Sequence, residues 1–546
     1  MRLSQTDEDV RNLSAAQSDD SQSPTMRARR IPAKKLGDVL RDVATNAENA
    51  VRSFDSNLQI TQIACDSRKV KPGALFFALH GAKQDGNTFI QDAINRGAVA
   101  VVSQDSLVAS IPPAVAAIQV TDPRKALAVA SANFYDHPAT ALQLVAVTGT
   151  NGKTTTTSII DSIIKASGAK TGLFGTIVYE TPLGTYPAPN TTPESVDLQG
   201  FLAEIRDAGG KFVVLEASSH SLTMDRLWGC HFAAAVFTNL TREHMDYHKT
   251  FEDYFAAKKS LFTGTGIGTG SPEVAVINID DEYGKQLAGI AKNTVTYGLD
   301  AAAGITTKKF QLAFNGLTFT AQTPSGKISV VSTLVGRINV YNILAAIGAA
   351  QALGLANDVI ETGIRNLESV SGRFQRIDLG QPFLVIVDYA HTDDALESLI
   401  RTARELNPKA RIITLFGCGG AKDRTKRPVM GEVTGRLSDV TILSSDNPRN
   451  EDPLKIIGDI IVGLQKTGGK YVIEPNREKA IGLAMDEARA GDIVLLAGKG
   501  HENYQILADR TLEFDDREMA RRALRQRGHA VASNGHTPRK NGSSGP

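Results

Sequence analysis

A buried strand that runs straight into a glycine loop and then a helix constrains this chain more than any other feature. LQLVAV (142–147) is apolar apart from Gln143, the kind of strand that fills the middle of a parallel sheet. Thr148-Gly149-Thr150-Asn151-Gly152-Lys153-Thr154-Thr155 follows at once, and a helical pattern runs from Lys153 to Lys165. Glycines there let backbone N–H groups converge on phosphate oxygens, and a helix N-terminus adds favourable potential. Lys153 would balance β- and γ-phosphate charge, and the Thr154 hydroxyl would reach Mg²⁺. The loop has two residues between its glycines where the usual phosphate loop has four, so the general pattern matches in part. A plain glycine turn with a chance Lys-Thr is the alternative. The strand–loop–helix setting favours a nucleoside triphosphate.

The rest of the chain repeats the alternation of apolar strand and helix. KFVVLE (211–216), AAAVFTNL (233–240) and EVAVINID (273–280) follow the loop. From about residue 370 the pattern restarts with FLVIVDYAH, RIITLFGCGG, VTILSSDNPR and DIVLLAGKGHE. Each strand of the second set enters a polar or glycine-rich loop, where open parallel sheets gather ligands. Ahead of them, GALFFAL (73–79), a helical pattern over 89–96 and AVAVV (98–102) suggest a smaller mixed unit, with DHPAT (136–140) as linker. The expected divisions are 32–139, 140–369 and 370–528, an α/β fold of three domains. The ends, 1–31 and 529–546, are polar, and are expected to be disordered. No signal peptide is legible in residues 1–25, and Met26 is a possible true start.

Composition closes off other classes. Lys and Arg number 60 against 59 Asp and Glu, so no charge excess argues for nucleic acid or a membrane surface. No run of about 18 apolar residues offers a membrane span. Cys65, Cys230 and Cys418 are far apart and lack metal-type spacing, which suits a reducing, cytoplasmic compartment.

Glu216 ends its strand, where a carboxylate can hold a metal that bridges phosphates. His244, in TNLTREHMDYH, follows the next strand and faces the same sheet edge. Taken alone, both could be surface residues, and Lys258 in DYFAAKKSLF could be a solvated lysine. TGTNGKTTT, however, resembles the ATP loop of the Mur ligases and the folylpolyglutamate synthetases. Both make amides by phosphorylating a carboxylate with ATP and letting an amine displace phosphate. The resemblance to Mur ligases extends over nearly all of 32–528, and implies a central P-loop ATPase-like domain and a Rossmann-like C-terminal domain. It implies that Thr154, Glu216, His244 and Lys258 hold Mg²⁺ at two sites, with Lys258 carbamylated by CO₂. Lys153, Glu216, His244 and Lys258 would be the catalytic set.

Further motifs carry the resemblance toward the muramoyl-tripeptide synthetases. CDSRKVKPGALFFAL and HGAKQDGNTFI imply a UDP site through Ser67, Arg68, His80 and Gly81. Asn190, Thr191, Thr192, Ser218 and Arg226 match positions that hold the muramoyl-dipeptide, with Met224 where some relatives have Gln. GRINVYN implies adenine-side contacts at Asn339 and Asn342, and GRFQRID with DYAHTDDAL implies ATP contacts at Arg373, Asp388 and His391. Asp393 stands where that last segment usually has Pro.

Asp446-Asn447-Pro448-Arg449 would be a good turn on local chemistry alone. Within the family, DNPR marks enzymes that add meso-diaminopimelate. A guanidinium can grip its extra carboxylate with two parallel hydrogen bonds. Gly498 and Glu502 in AGKGHENYQ resemble contacts to the distal amino group, and Lys422 stands where relatives often carry Arg. The implied partners are ATP, meso-diaminopimelate and UDP-MurNAc-L-Ala-D-Glu, in peptidoglycan precursor synthesis by a monomer. A lysine-adding sister, a folate polyglutamylating one, or a nucleotide-gated binder without catalysis are the alternatives.

Overall fold

The computed structural model describes residues 32–44, 55–81, 84–105, 111–245 and 247–529. The expectations for both tails and for Met26 lie outside the described residues, apart from His529. Three main sheets organise the chain. The first is parallel, with strands Gln62–Ala64, Ala74–Phe77, Ala98–Ser103 and Ala116–Gln119 side by side in chain order. Helix Pro123–Phe134 follows, begun by Asp122, whose carboxylate accepts from the Arg124 and Lys125 N–H groups, with Pro123 at its first position. The stretch expected to link this unit to the next forms a 3₁₀ turn, Pro138–Ala141.

The central sheet has twelve strands. Gln143–Thr148 lies between Phe212–Glu216 and Ala234–Phe237, parallel to both. Thr171–Phe174 lies outside Phe212–Glu216, while Val274–Asn278 and Thr294–Gly298 extend the other side. The chain therefore reverses its direction of winding around Gln143–Thr148, and the glycine loop opens at that switch point, where such sheets bind ligands. The four innermost strands are almost wholly buried, as their unbroken apolar runs require.

Two antiparallel additions flank this parallel centre. Val178–Thr181 and Gly184–Pro187 form a hairpin at one edge. Phe310–Ala313, Gly316–Thr323 and Gly326–Ser332 form a meander at the other. Helix Arg337–Ala352 is apolar nearly all round and is buried against the sheet beside helix Lys153–Ala166. At Gly363 a Cβ would come 2.3 Å from Ile163 Cα, so this glycine lets a third helix, Asn357–Asn366, lie on the phosphate-loop helix.

The last main sheet has the order Gln375–Ile377, Leu384–Asp388, Ile493–Ala497, Ile412–Phe416, Val440–Leu443, Tyr471–Ile473. All pairs are parallel except the first. The loops after Asp388, Phe416, Leu443 and Ala497 leave the same edge. Among the described residues no helix is long and apolar enough to cross a membrane.

Candidate active site

Gly149 and Gly152 take φ of 141° and 87°. A Cβ on Gly149 would lie 1.9 Å from Thr238 Oγ1, and one on Gly152 would lie 2.5 Å from Asn342 Oδ1. Glycine is required at both, because the loop is clamped between a neighbouring strand end and a buried helix. Asn239 fastens it further: its carbonyl accepts from Thr150 N, and its Oδ1 accepts from Asn151 N at 2.9 Å. Lys153 folds over this turn and donates to the Gly149 and Thr150 carbonyls at 2.9 and 2.8 Å.

Glu216 has no exposed surface. Its Oε1 accepts from Thr154 Oγ1 at 2.9 Å and from Thr176 N at 2.8 Å, and its Oε2 from Thr176 Oγ1 at 3.0 Å. Lys258, on helix Phe251–Thr263, is also buried, with Nζ donating to Gly149 O at 2.8 Å and lying 4.6 Å from the Tyr254 ring centre. Burial first, then the charge of Lys153, push it well below the ordinary lysine range, against the pull of Glu243. Burial also opposes ionisation of Glu243, yet His244, Lys153, His391 and Lys258 outweigh it and hold that carboxyl below its ordinary range. His244 itself sits at φ 58°, with Nε2 3.7 Å from Glu243 Oε2.

The last sheet completes the cavity. Arg373 lies 4.6 Å over the Tyr389 ring and donates to Thr154 Oγ1 at 3.1 Å. Asp388 accepts from the Phe374 and Ala390 N–H groups at 2.6 and 2.8 Å. Burial raises its carboxyl above the ordinary range, with Arg373 pulling the other way. Asp394 binds Asn151 Nδ2 at 2.9 Å and Thr241 Oγ1 at 3.0 Å, tying the first turn of helix Asp393–Leu406 to the glycine loop.

The resulting cavity of about 250 Å³ is lined by Thr150 to Thr155, Glu216, His244, Lys258, Asn339, Asn342, Arg373, Asp388 and His391, and also by Thr191 and Ser218. Asn342 Nδ2 donates to Asn339 Oδ1 at 2.9 Å, so the two expected adenine-side asparagines form one buried unit.

A second cavity, about 390 Å³, opens beside it. Lys422, Asp446, Asn447, Arg449, Gly498 and Glu502 line it, whereas Pro448 does not. Asn447 is the hub: its Nδ2 donates to Glu502 Oε2 at 2.9 Å, and its Oδ1 accepts from Ile506 N at 3.0 Å and Lys499 Nζ at 3.3 Å. Lys499 is fully buried and also donates to Glu502 at 3.0 Å. Gly498, at φ 109°, would place a Cβ 3.0 Å from Asp446 Oδ2. The two cavities share Glu243, His244, Tyr389, His391 and Thr392.

The expected dipeptide residues form a shelf beside Glu216. Thr192 Oγ1 donates to Glu216 O at 2.7 Å, Arg226 donates to Thr192 O at 3.0 Å and pairs with Glu194, and Thr191 Oγ1 meets Thr176 Oγ1 at 3.2 Å. Asn190 offers its carbonyl to Tyr179. Ser67, Arg68 and His80 are not brought to either cavity. Arg68 folds onto Asp66 at 2.7 Å, and His80 lies between Asp85 and Asp105 at 3.2 and 3.6 Å.

Residue-by-residue reading missed Glu243, Thr176, Asp394 and Lys499. Glu243 and Lys499 each adjoin a motif residue, TREH and AGKGHE, and that adjacency was the available signal. Asp394 likewise lies within DYAHTDDAL, whereas Thr176 gives no signal, since contacts distant in sequence place it.

Among known sequences, profiles described as Mur ligase family catalytic domain, Mur ligase middle domain, and Mur ligase glutamate ligase domain match residues 59–135, 147–350 and 372–500. The UDP-N-acetylmuramoyl-L-alanyl-D-glutamate–2,6-diaminopimelate ligase of Solibacter usitatus (strain Ellin6076) is 49% identical over 474 residues, covering 86% of this chain and 94% of the relative. A solved ligase of that same description superposes with a TM-score of 0.63 at 32% identity, over 91% of this chain and 100% of the other. A MurF ligase from Thermotoga maritima in complex with ADP shares the fold alone, at TM-score 0.60 and 18% identity over 85% and 98% of the two chains.

Proposed function

The chain belongs to the Mur ligase family, and on that premise we propose that it uses ATP to join meso-diaminopimelate to the D-glutamate carboxylate of UDP-MurNAc-L-Ala-D-Glu, in cytoplasmic peptidoglycan precursor synthesis. One observation carries the reading. A cavity lined by the glycine loop and a cavity holding a guanidinium meet at a common wall of Glu243, His244, Tyr389, His391 and Thr392. An acyl phosphate made on one side would stand within reach of an amine held on the other.

The residues divide the work accordingly. Loop N–H groups and Lys153 would balance the γ-phosphate as a substrate carboxylate approaches it, since two anions must meet. Asn339 and Asn342 would face the adenine side, and Arg373, held on Tyr389, would bring a second cation toward the phosphates. Thr192, Ser218 and Arg226 would seat the dipeptide, while Ser67, Arg68 and His80 would hold the UDP end on the first domain. Arg449 would read the distal carboxylate of diaminopimelate, with Gly498 and Glu502 at its distal amino group and Lys422 near by. The units doing this would be 32–139, 140–369 and 370–528 of a monomer.

The buried groups also fit Mg²⁺. Among the described residues no three His, Cys, Asp or Glu side chains could hold a metal by themselves. Mg²⁺ takes its oxygen ligands from side chains, phosphates and water together. Thr154, Glu216, His244 and a carbamylated Lys258 would complete its shell at two sites, and the ions would supply charge to offset the triphosphate. Lys258 fits that modification because burial and Lys153 favour its neutral amine, the form that attacks the carbon of CO₂ and then sheds a proton. Intact mass in ¹³C-bicarbonate would register the carbamate as a labelled adduct lost in Lys258→Arg.

The decisive experiment gives the protein ATP and UDP-MurNAc-L-Ala-D-Glu with meso-diaminopimelate, L-lysine or L-ornithine, and reads phosphate release and product mass. Phosphate release with a diaminopimelate-sized mass gain is the expected result. Turnover with lysine alone overturns the amine assignment, and no product with any amine overturns the ligase reading.

A further inference from the structure

The two loops that carry Lys422 and Arg449 are stapled together outside the cavity by a charge pair between a buried arginine and a part-exposed glutamate. Arg427, on helix Lys426–Leu437, has no exposed side-chain surface. Its Nη1 donates to Glu451 Oε2 and Asp459 Oδ2, both at 2.9 Å, and its Nη2 to Glu451 Oε1 at 3.0 Å and Gly419 O at 3.2 Å. Glu451 reaches back across the gap, and its Oε1 also accepts from Ala421 N at 2.6 Å. The Arg427 guanidinium first, and then the Ala421 N–H, hold the Glu451 carboxyl at about 2, so this link stays ionised at any working pH.

What these bonds fix is an otherwise unfavourable backbone. Ala421 and Arg449 are not glycines, yet they take φ of 52° and 53°. Such residues persist only where surrounding bonds over-determine them. The turn at Gly419–Gly420 leaves no slack either: a Cβ on Gly420 would lie 1.9 Å from Pro448 O, and one on Gly419 would lie 3.0 Å from Arg449 Nη1. Gly420 N donates to Asn447 O at 2.9 Å, and Gly420 O accepts from Arg449 Nη1 at 2.9 Å. One nitrogen of the Arg449 fork is thereby committed to the turn, and the turn decides where the rest of the fork points.

We propose that Arg427 and Glu451 are a positioning pair for amine selection: by locking the Gly419–Ala421 turn onto Asn447–Arg449 they aim the Arg449 guanidinium. The inference rests on the reading of Arg449 as the carboxylate reader. Neither side chain lines the cavity, so the pair acts through the turn it holds, on which Arg449 leans. A two-point grip on a carboxylate tolerates little misplacement, and a shift of about 1 Å can cost on the order of a hundredfold.

The test uses Glu451→Gln and Arg427→Lys, each alone and combined with Arg449→Ala, with melting temperatures to register any loss of fold. Glu451→Gln is expected to lower the preference for meso-diaminopimelate over L-lysine by about tenfold, through KM for diaminopimelate. The kcat and the KM for ATP should stay within about twofold, and Arg427→Lys, which keeps charge but loses the fork, should fall between. In the Arg449→Ala background Glu451→Gln should leave the preference untouched, because the residue it acts through is gone. An unchanged preference in Glu451→Gln overturns the pair, as does an equal loss with both amines or the same loss without Arg449. If Arg449→Ala alone leaves the preference intact, the reading of Arg449 falls first and the positioning role with it.

Discussion

The two cavities that meet at Glu243 and His391 are built by opposite means. The nucleotide side takes its shape from backbone: Gly149 and Gly152 at positive φ, with no room for a Cβ, in a wall where hydroxyls and amides stand beside Lys153, Glu216, Lys258 and Arg373. The amine side takes its shape from charge, with Lys499, Glu502, Arg449 and the Arg427–Glu451 link holding loops in which even non-glycine residues sit at positive φ. The difference follows from the two tasks. Phosphates are common to every nucleotide, so converging N–H groups suffice. Amines that differ by one carboxylate can be told apart only by a side chain that would be left unpaired with the wrong one.

If the division holds, damage on one side should change rate without changing choice, and damage on the other should do the reverse. Glu216→Gln weakens the carboxylate that accepts from Thr154 and Thr176. It should cut turnover about 10²–10³-fold with every amine and leave the diaminopimelate-to-lysine ratio where it was. A shifted ratio would mean the two sides are not separable. Arg449→Ala should do the converse, lowering that ratio by roughly ten- to a hundredfold, the worth of a charge-assisted hydrogen bond of about 1.5–3 kcal/mol, with KM for ATP unchanged. Steady-state kinetics on both substrates decides it.

Gly149→Ala probes the backbone half directly. Its Cβ would sit 1.9 Å from Thr238 Oγ1, so either the loop or the Ala234–Phe237 strand end must shift. Loss of about 1–3 kcal/mol of stability is expected. Binding of an ATP analogue, followed by calorimetry, should weaken while amine choice persists. Unaltered ATP binding would show that the cradle is not set by this glycine.

The same contrast explains what could be read from sequence. The nucleotide loop was legible because its parts are contiguous: strand, glycines, lysine and helix fall within LQLVAVTGTNGKTTT, and each does local work. The parallel strands were legible as unbroken apolar runs, and so was their habit of ending in loops. The amine side was legible at DNPR, GKGHE and Lys422. Its supports lie far apart: Arg427 on Glu451, and Arg477 on Asp516 at 2.6 Å, whose guanidinium also takes up the Ser445 and Ala497 carbonyls. Nothing local marks Arg427 or Arg477 as buried. The meander over 310–332 did carry a signal, since GLTFTAQT alternates buried and exposed residues in the period of a half-covered strand. On the first domain, Ser67, Arg68 and His80 touch neither cavity.

The smallest effect concerns the seam itself. Tyr389 lines both cavities, with Arg373 over its ring and the His501 ring 4.9 Å away. Burial, then Arg373 and Arg517, push His501 down to about 3, so it is neutral wherever the protein is folded at working pH. Once unfolded it would titrate near the ordinary value of about 6.5. Between those two values the unfolded chain binds a proton that the folded chain refuses. Stability from this group is therefore whole above about pH 6.5 and drains away as pH falls toward 3. His501→Gln has no such proton to take up. The parent should accordingly lose melting temperature faster than the variant between pH 7.5 and 5, so that any advantage it holds at neutral pH shrinks by a few degrees. Parallel melting curves would mean that water reaches His501. The seam would then be looser than the packing of Tyr389 implies, and the sharp separation between the rate side and the choice side would lose its physical basis.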